Sequence, residues 1–334
     1  MRSRARILPC FFSVFFAFTA LSAPPRRHAP HAAPKAAIDA ANDASVERPL
    51  QLNASGPAVL RAQILLDRVR FSSGELDATF GHNLESAVAA FREAHGLPPG
   101  NNIDADVWKA LDADTAPVLF PYTLTADDVA GPFFEIPEKM EDKAKLPAMG
   151  YESALQKVAE KFHISPALLT RLNPGKSFTD ANTEILAPNV LTQPAPAKAA
   201  KVVVTGSTHT VQVMDQGGKV LASYPATVGS IHDPLPIGDW AVTSMNHNPI
   251  FFYNSDLFWD ADEKHAKAKI QPGPKNPVGV VWIGLTKEHY GIHGTPEPGK
   301  IGHTESHGCI RLTNWDANDL AHMVSKGTEV VLKD

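Results

Sequence analysis

The spacing of apolar residues divides the chain into a helical half and a β half. Leu60, Ile64 and Leu65 share one face of a first helical repeat. Leu84, Ala87, Val88 and Phe91 recur at i, i+3, i+4 and i+7 in a second, with Asn83 as its predicted N-cap and Gly96 as its stop. A short third repeat begins after Asp104 and carries Val107, Trp108 and Leu111, and the turn-rich "FSSGELDATFGHN" separates the first two. Residues 56–112 therefore read as a three-helix unit, small but able to close a core. Residues 113–148 hold five prolines and scattered charges without a period, which predicts a linker. Over 149–190 the helical period returns. Leu155, Val158, Ala159 and Phe162 form one stripe. Ser165-Pro166 supplies an N-cap and a first-turn proline before Leu168, Leu169 and Leu172, and "TEILAP" reads as a short strand.

After a second Pro/Ala linker at 191–201, the period falls to two from 202 to 334. "HTVQVMD" and "KVLASYPATVG" flank Gln216-Gly217-Gly218 as a hairpin. "GDWAVTSMN", "VGVVWIGL", "EHYGIHG" and "GTEVVL" are further strands, and "NWDANDLAHMVSKG" is one helix with Leu320, Met323 and Val324 on a face. The fold class this predicts is multidomain: a mainly β, sandwich- or barrel-like C-terminal domain behind two small helix-bearing modules.

The N-terminus changes the picture of where the chain works. Arg2, Arg4 and Arg6 precede the apolar "ILPCFFSVFFAFTALSA", which predicts a cleaved export signal over 1–23. Its apolar run is shorter than the roughly twenty residues a membrane span needs. Residues 24–55 are Pro/Ala-rich and read as a tether. Loss of those three arginines takes the net charge from −5 to −8, which disfavours nucleic acid as a partner. Export places the chain in an oxidising compartment, yet of its two cysteines Cys10 belongs to the signal, so Cys309 has no partner for a disulfide.

Nine of the fourteen histidines follow residue 200, and His289, His293, His303 and His307 crowd before Cys309. Cys309 reads as a small buried hydrophobe, as a zinc ligand, or as a nucleophile with a histidine base. Zinc ranks last, because "HYGIHG" has strand and turn character and no Cys-x-x-Cys or carboxylate motif supports a third ligand. The nucleophile reading uses more of the pattern. Gly308 allows a close backbone turn with N–H groups free for a substrate oxygen, and a nearby histidine is expected to lower the thiol pKa.

Three resemblances give this a definite form. The segment from Leu60 to Leu111, with its G-x-x-D…F-G loop and A-F-x-x-x-x-G-L helix end, resembles a three-helix peptidoglycan-binding domain. "VAEKFHISPALLTRLNP" resembles a LysM glycan-binding module, without its usual first strand and Gly-Asp-Thr turn. "YGIHGTPEPGKIGHTESHGCIRLTN" resembles the catalytic motif of the L,D-transpeptidases (YkuD-type). The match runs through His293, Ser306, His307, Gly308, Cys309, Ile310 and Arg311, with "PLPIGDWAV" and "PGPKNPVGVVWIGL" as upstream segments.

The resemblance implies Cys309 as nucleophile and His293 as general base. Ser306 and His307 would shape the site, and the Gly308 and Cys309 amides would form an oxyanion hole. Arg311, Tyr290 and Gly294 would contact substrate. It further implies a thioester formed with release of D-alanine from a tetrapeptide stem, without metal or cofactor. The partners would be peptidoglycan stem peptides and glycan strands, or a lipoprotein acceptor, in the periplasm or cell envelope. Hydrolysis to a tripeptide and attachment to a lipoprotein are alternatives on the same site. A NlpC/P60-type peptidase places its cysteine before its histidine, the reverse of His293 and Cys309, and a wall anchor without activity would not need either residue. Modules strung on linkers would raise activity on intact wall by tethering alone and leave activity on a soluble stem unchanged.

Overall fold

The computed structural model describes residues 40–43, 48–190, 198–257 and 267–334. The predicted signal, most of the tether and the start of the second linker lie outside the described residues. The three-helix unit forms as patterned: α1 (Pro57–Arg68), α2 (His82–Ala94) and α3 (Ala105–Leu111), the last capped by Asp104, whose side chain accepts from the Asp106 and Val107 amides. Asn83 is not the cap of α2. Gly81 takes that position, and Asn83 Nδ2 donates to the carbonyl of Ile301, far along the chain, at 2.9 Å. A tertiary acceptor has claimed the side chain that local rules assigned to the helix end.

Residues 113–148 are not merely a linker. β1 (Leu119–Thr123) pairs antiparallel with β2 (Glu184–Pro188), Leu119 opposite Pro188 and Thr123 opposite Glu184. The two strands enclose α4 (Ala154–Lys161) and α5 (Pro166–Leu172) in a β-α-α-β module. Ser165 caps α5 as expected, its Oγ accepting from the Leu168 amide at 3.1 Å. Pro121 hid β1 from the sequence pattern, yet a two-stranded sheet consists only of edges, where a missing N–H is tolerated. β1 is thus contributed from upstream of residues 149–190, and residues 124–153, with two short helices at Ala126–Val129 and Met140–Lys143, lie between it and α4.

The C-terminal domain is built on a nine-stranded sheet. Its strands are β3 (Lys201–Thr205), β4 (Thr210–Met214), β5 (Val220–Pro225), β6 (Thr227–Val228), β7 (Gly238–His247), β10 (Val281–Leu285), β11 (Gly291–His293), β12 (Ile310–Arg311) and β13 (Glu329–Lys333). A separate ribbon pairs β8 (Phe251–Tyr253) with β9 (Ala268–Ile270). The order in the sheet is β5-β4-β3-β13-β7-β10-β11-β12-β6. Only Ala226 separates β5 from β6, although they stand at the two ends of that order, so the sheet must curl round in a barrel-like wall. Its inner side buries Val202, Val204, Val211, Val213, Ile283, Ile292 and Ile310. α6 (Asn314–Met323) closes it with Ala317, Leu320 and Met323.

The modules share interior with one another and contact the sheet directly. One core holds Leu65, Phe80 and Phe91 of the helical unit, Val158, Phe162 and Leu169 of the β-α-α-β module, and Val220 of β5. At the seam, Ser72 N–H donates to Ser223 O at 2.9 Å and Ser223 N–H to Arg70 O at 2.8 Å. Arg70 pairs with Asp319 at 3.1 Å, and Ser72 Oγ donates to Asp316 at 3.0 Å.

Candidate active site

The site follows from strand alternation. β11 and β12 run parallel with Ile292 opposite Ile310 and His293 opposite Arg311. Ile292 and Ile310 point into the core, so Gly291, His293, Cys309 and Arg311 belong to the other face. β10 adds Trp282 opposite His293, and β6 adds Thr227 opposite Arg311. The segment from Gly294 to Gly308 folds back over this row, with Gly302 N–H donating to Thr227 Oγ1 at 3.1 Å.

His293 is 4 % exposed and stacks on the Trp282 indole with ring centroids 5.4 Å apart. Its Nδ1 lies 2.7 Å from the carbonyl oxygen of Gly294. A carbonyl only accepts, so Nδ1 carries the proton and Nε2 is left as the acceptor. Burial, reinforced by the positive charge of Arg311 and opposed by the Gly294 bond, pulls the imidazole down to about 3. The ring is therefore neutral throughout the physiological range.

Cys309 is partly exposed, and its thiol points to the carbonyl of His289 at 3.7 Å. Desolvation raises the thiol above its ordinary value, Asp233 adds to that, and the Gly291 N–H and Arg311 oppose it. The sequence reading expected a histidine to depress the thiol. Thiol and imidazole are instead each neutral at rest, because burial holds charge off both groups.

The remaining predicted residues take distinct places. Gly308 has φ +88°, and a Cβ there would lie 2.6 Å from Cε1 of Tyr290, whose ring covers that turn. Ser306 is buried, and its Oγ donates to the carbonyl of Cys309 at 2.6 Å while its N–H donates to Gly229 O at 2.9 Å. It braces the turn that presents the sulfur. Gly294, expected to face substrate, is buried behind His293, where a Cβ would come within 2.2 Å of Asn314 Oδ1. His307 is partly exposed beside the turn. His289 contributes its carbonyl, with its side chain largely exposed. His303 lines a separate small pocket with Ser73, Glu75 and Asn83. Asp316 and Asp319, on α6, are engaged by Ser72 and Arg70. Trp282, the Gly291 N–H and Asn314 escaped the sequence reading. The only signal for Trp282 was its place between the core residues Val281 and Ile283.

Residues 199–332 match the L,D-transpeptidase catalytic domain family (YkuD), and residues 55–111 match a putative peptidoglycan binding domain. The putative L,D-transpeptidase YqjB of Bacillus subtilis is 31% identical over 139 residues, 40% of this chain and 70% of that one. This chain belongs to the L,D-transpeptidases. Among other members of the family, the putative L,D-transpeptidase YkuD of Bacillus subtilis is 29% identical over 179 residues, covering 53% of this chain and 92% of that one. The probable L,D-transpeptidase YbiS of Escherichia coli is 25% identical over 205 residues, covering 60% and 62%. As an L,D-transpeptidase the chain is an acyltransferase, with its catalytic domain on the curled sheet and a peptidoglycan-binding unit in α1–α3.

Proposed function

We propose that Cys309 is the nucleophile and His293 the general base of this L,D-transpeptidase, acting on a tetrapeptide stem. The observation that carries this is the pairing of β11 with β12, which sets both side chains on one face beside Arg311, with His293 held in the tautomer that leaves Nε2 to accept. The donor's L,D-peptide carbonyl enters over the sulfur. His293 Nε2 takes the thiol proton as sulfur attacks the carbonyl carbon, and the developing oxyanion is met by the amides of the Gly308–Cys309 turn. Collapse breaks the C–N bond. The imidazolium returns its proton to the departing D-alanine nitrogen, and a thioester remains. An acceptor amine then attacks, gives a proton to His293, and leaves with the acyl group as the thiol is restored.

The acceptor in this reading is the side-chain amine of a neighbouring stem, which makes the product a cross-link. Arg311 holds a donor carboxylate and Tyr290 walls the approach. Export through residues 1–23 delivers the enzyme to the periplasmic face of the wall, and α1–α3 hold it to peptidoglycan. Incubation with a tetrapeptide donor and an amine-bearing stem, followed by mass spectrometry, tests the reading. Free D-alanine and a dimer are expected. Tripeptide alone would make the enzyme a carboxypeptidase, acylation only of a lipoprotein lysine would change the acceptor, and no D-alanine release would overturn the donor chemistry.

A further inference from the structure

We propose that Glu160, on α4 of the β-α-α-β module, is a positioning residue for the catalytic domain: it fixes Asn314, the wall behind the Gly294 peptide that orients His293. The proposal rests on His293 being the base.

Asn314 is 3 % exposed and begins α6. Its carboxamide is held at both ends. Oδ1 accepts from the Val280 amide at 3.2 Å. Nδ2 donates to Glu160 Oε1 at 3.0 Å and to the Pro274 carbonyl at 3.1 Å. There is no slack around it. A Cβ at Gly279 would lie 2.1 Å from Oδ1 and one at Gly294 2.2 Å, so both positions are glycine because the amide occupies that space. The Gly294 carbonyl is the acceptor for His293 Nδ1–H, and the His293 carbonyl accepts from Leu312 N–H at 2.8 Å. Rotation of the Asn314 amide therefore pushes on the peptide that sets the tautomer and plane of the base.

The module controls both acceptors of Nδ2. Glu160 is the first, steadied by Tyr151, whose hydroxyl donates to Oε1 at 3.2 Å. The second, Pro274, lies in a segment clasped by the backbone just ahead of α4. Met149 N–H donates to Pro272 O at 2.9 Å, and Lys275 N–H donates to Met149 O at 2.9 Å. A Cβ at Gly273 would fall 2.2 Å from that Met149 oxygen, so the clasp requires glycine there. Lys275 Nζ then reaches Pro296 O at 2.8 Å, on the chain leaving His293. Misplacing a base by about an ångström costs on the order of a hundredfold in rate, so a buttress this close reaches the chemistry without touching substrate. Activity on a small soluble donor therefore depends on this module, against the tethering expectation.

The test uses the full chain and the rate of Cys309 acylation by a tetrapeptide donor. Glu160→Ala should lower kcat at least tenfold with the donor KM within twofold and the melting temperature little changed. Glu160→Gln keeps an oxygen acceptor and should recover most of the rate. In a His293→Ala background, adding Glu160→Ala should change nothing further, because its effect passes through the base. A Glu160→Ala enzyme at the wild-type rate, or an additive loss in the His293→Ala background, would overturn the proposal. If His293→Ala itself acylates at the wild-type rate, the assignment of the base fails instead.

Discussion

Replacing Gly308 by alanine separates the geometric demands of the cysteine turn from its chemistry. At φ +88° a side chain enters the left-handed region, which costs a non-glycine residue roughly 1–2 kcal/mol. The new methyl would also lie 2.6 Å from Tyr290 Cε1 and 3.0 Å from its hydroxyl, well inside contact distance. Relieving such overlap typically costs a further 1–3 kcal/mol. Tyr290 can swing away, or the turn can shift and carry Cys309 with it. A shift of about an ångström would slow acylation on the order of a hundredfold. Intact-protein mass spectrometry with a carbapenem reads the rate, and thermal melting reads the strain. Gly308→Ala with Tyr290→Ala removes the overlap and keeps the strained φ, so melting should recover partly and not fully. Gly308→Ala acylating at the wild-type rate with an unchanged melting temperature would refute the argument.

A thiol and an imidazole that are both neutral at rest predict a flat acylation rate from about pH 5 to 8, since His293 titrates at about 3 and the thiol above its ordinary value. An inflection near 6.5 would mean that the imidazole is not buried in the free enzyme. Asp316 is raised to about 7, first by burial and then by Asp67, so its contribution to stability is complete below about pH 4 and is lost as pH rises through 7. Wild type should therefore weaken by at most about 1.4 kcal/mol per pH unit between pH 4 and 7 through this group, and Asp316→Asn should flatten that slope. Parallel melting curves for the two proteins would contradict it. Arg311→Lys should keep the melting temperature and lose about 10- to 100-fold in donor turnover, the worth of a forked charge-assisted bond. A fall in melting temperature with turnover intact would instead make Arg311 a structural residue.

What the sequence disclosed was whatever repeats or is contiguous. The stripes at Leu84–Phe91 and Val158–Phe162 and the hairpin at Gln216–Gly218 are local signals, and all reappear in the fold. The residues around Cys309 were visible because the chemistry concentrates in one short motif. What escaped depends on partners distant in sequence. β1 is broken by Pro121 and exists only by pairing with Glu184–Pro188. Asn83 looks like a cap until Ile301 is placed beside it. Gly294 looks like a substrate-facing glycine until Asn314 occupies the space of its missing side chain. The depressed imidazole and raised thiol come from burial, which residue types alone do not encode.

If Cys309 is the nucleophile, the acyl group in transit is bound to its sulfur. Rapid acid quench of the enzyme turning over a tetrapeptide donor, followed by intact and peptide mass spectrometry, observes that species directly. A single adduct of tripeptidyl mass is expected on the peptide containing Cys309. It should be discharged by hydroxylamine and be absent from Cys309→Ser, which should also release no D-alanine above background. An adduct on another residue, or D-alanine released by Cys309→Ser at the wild-type rate, would contradict it.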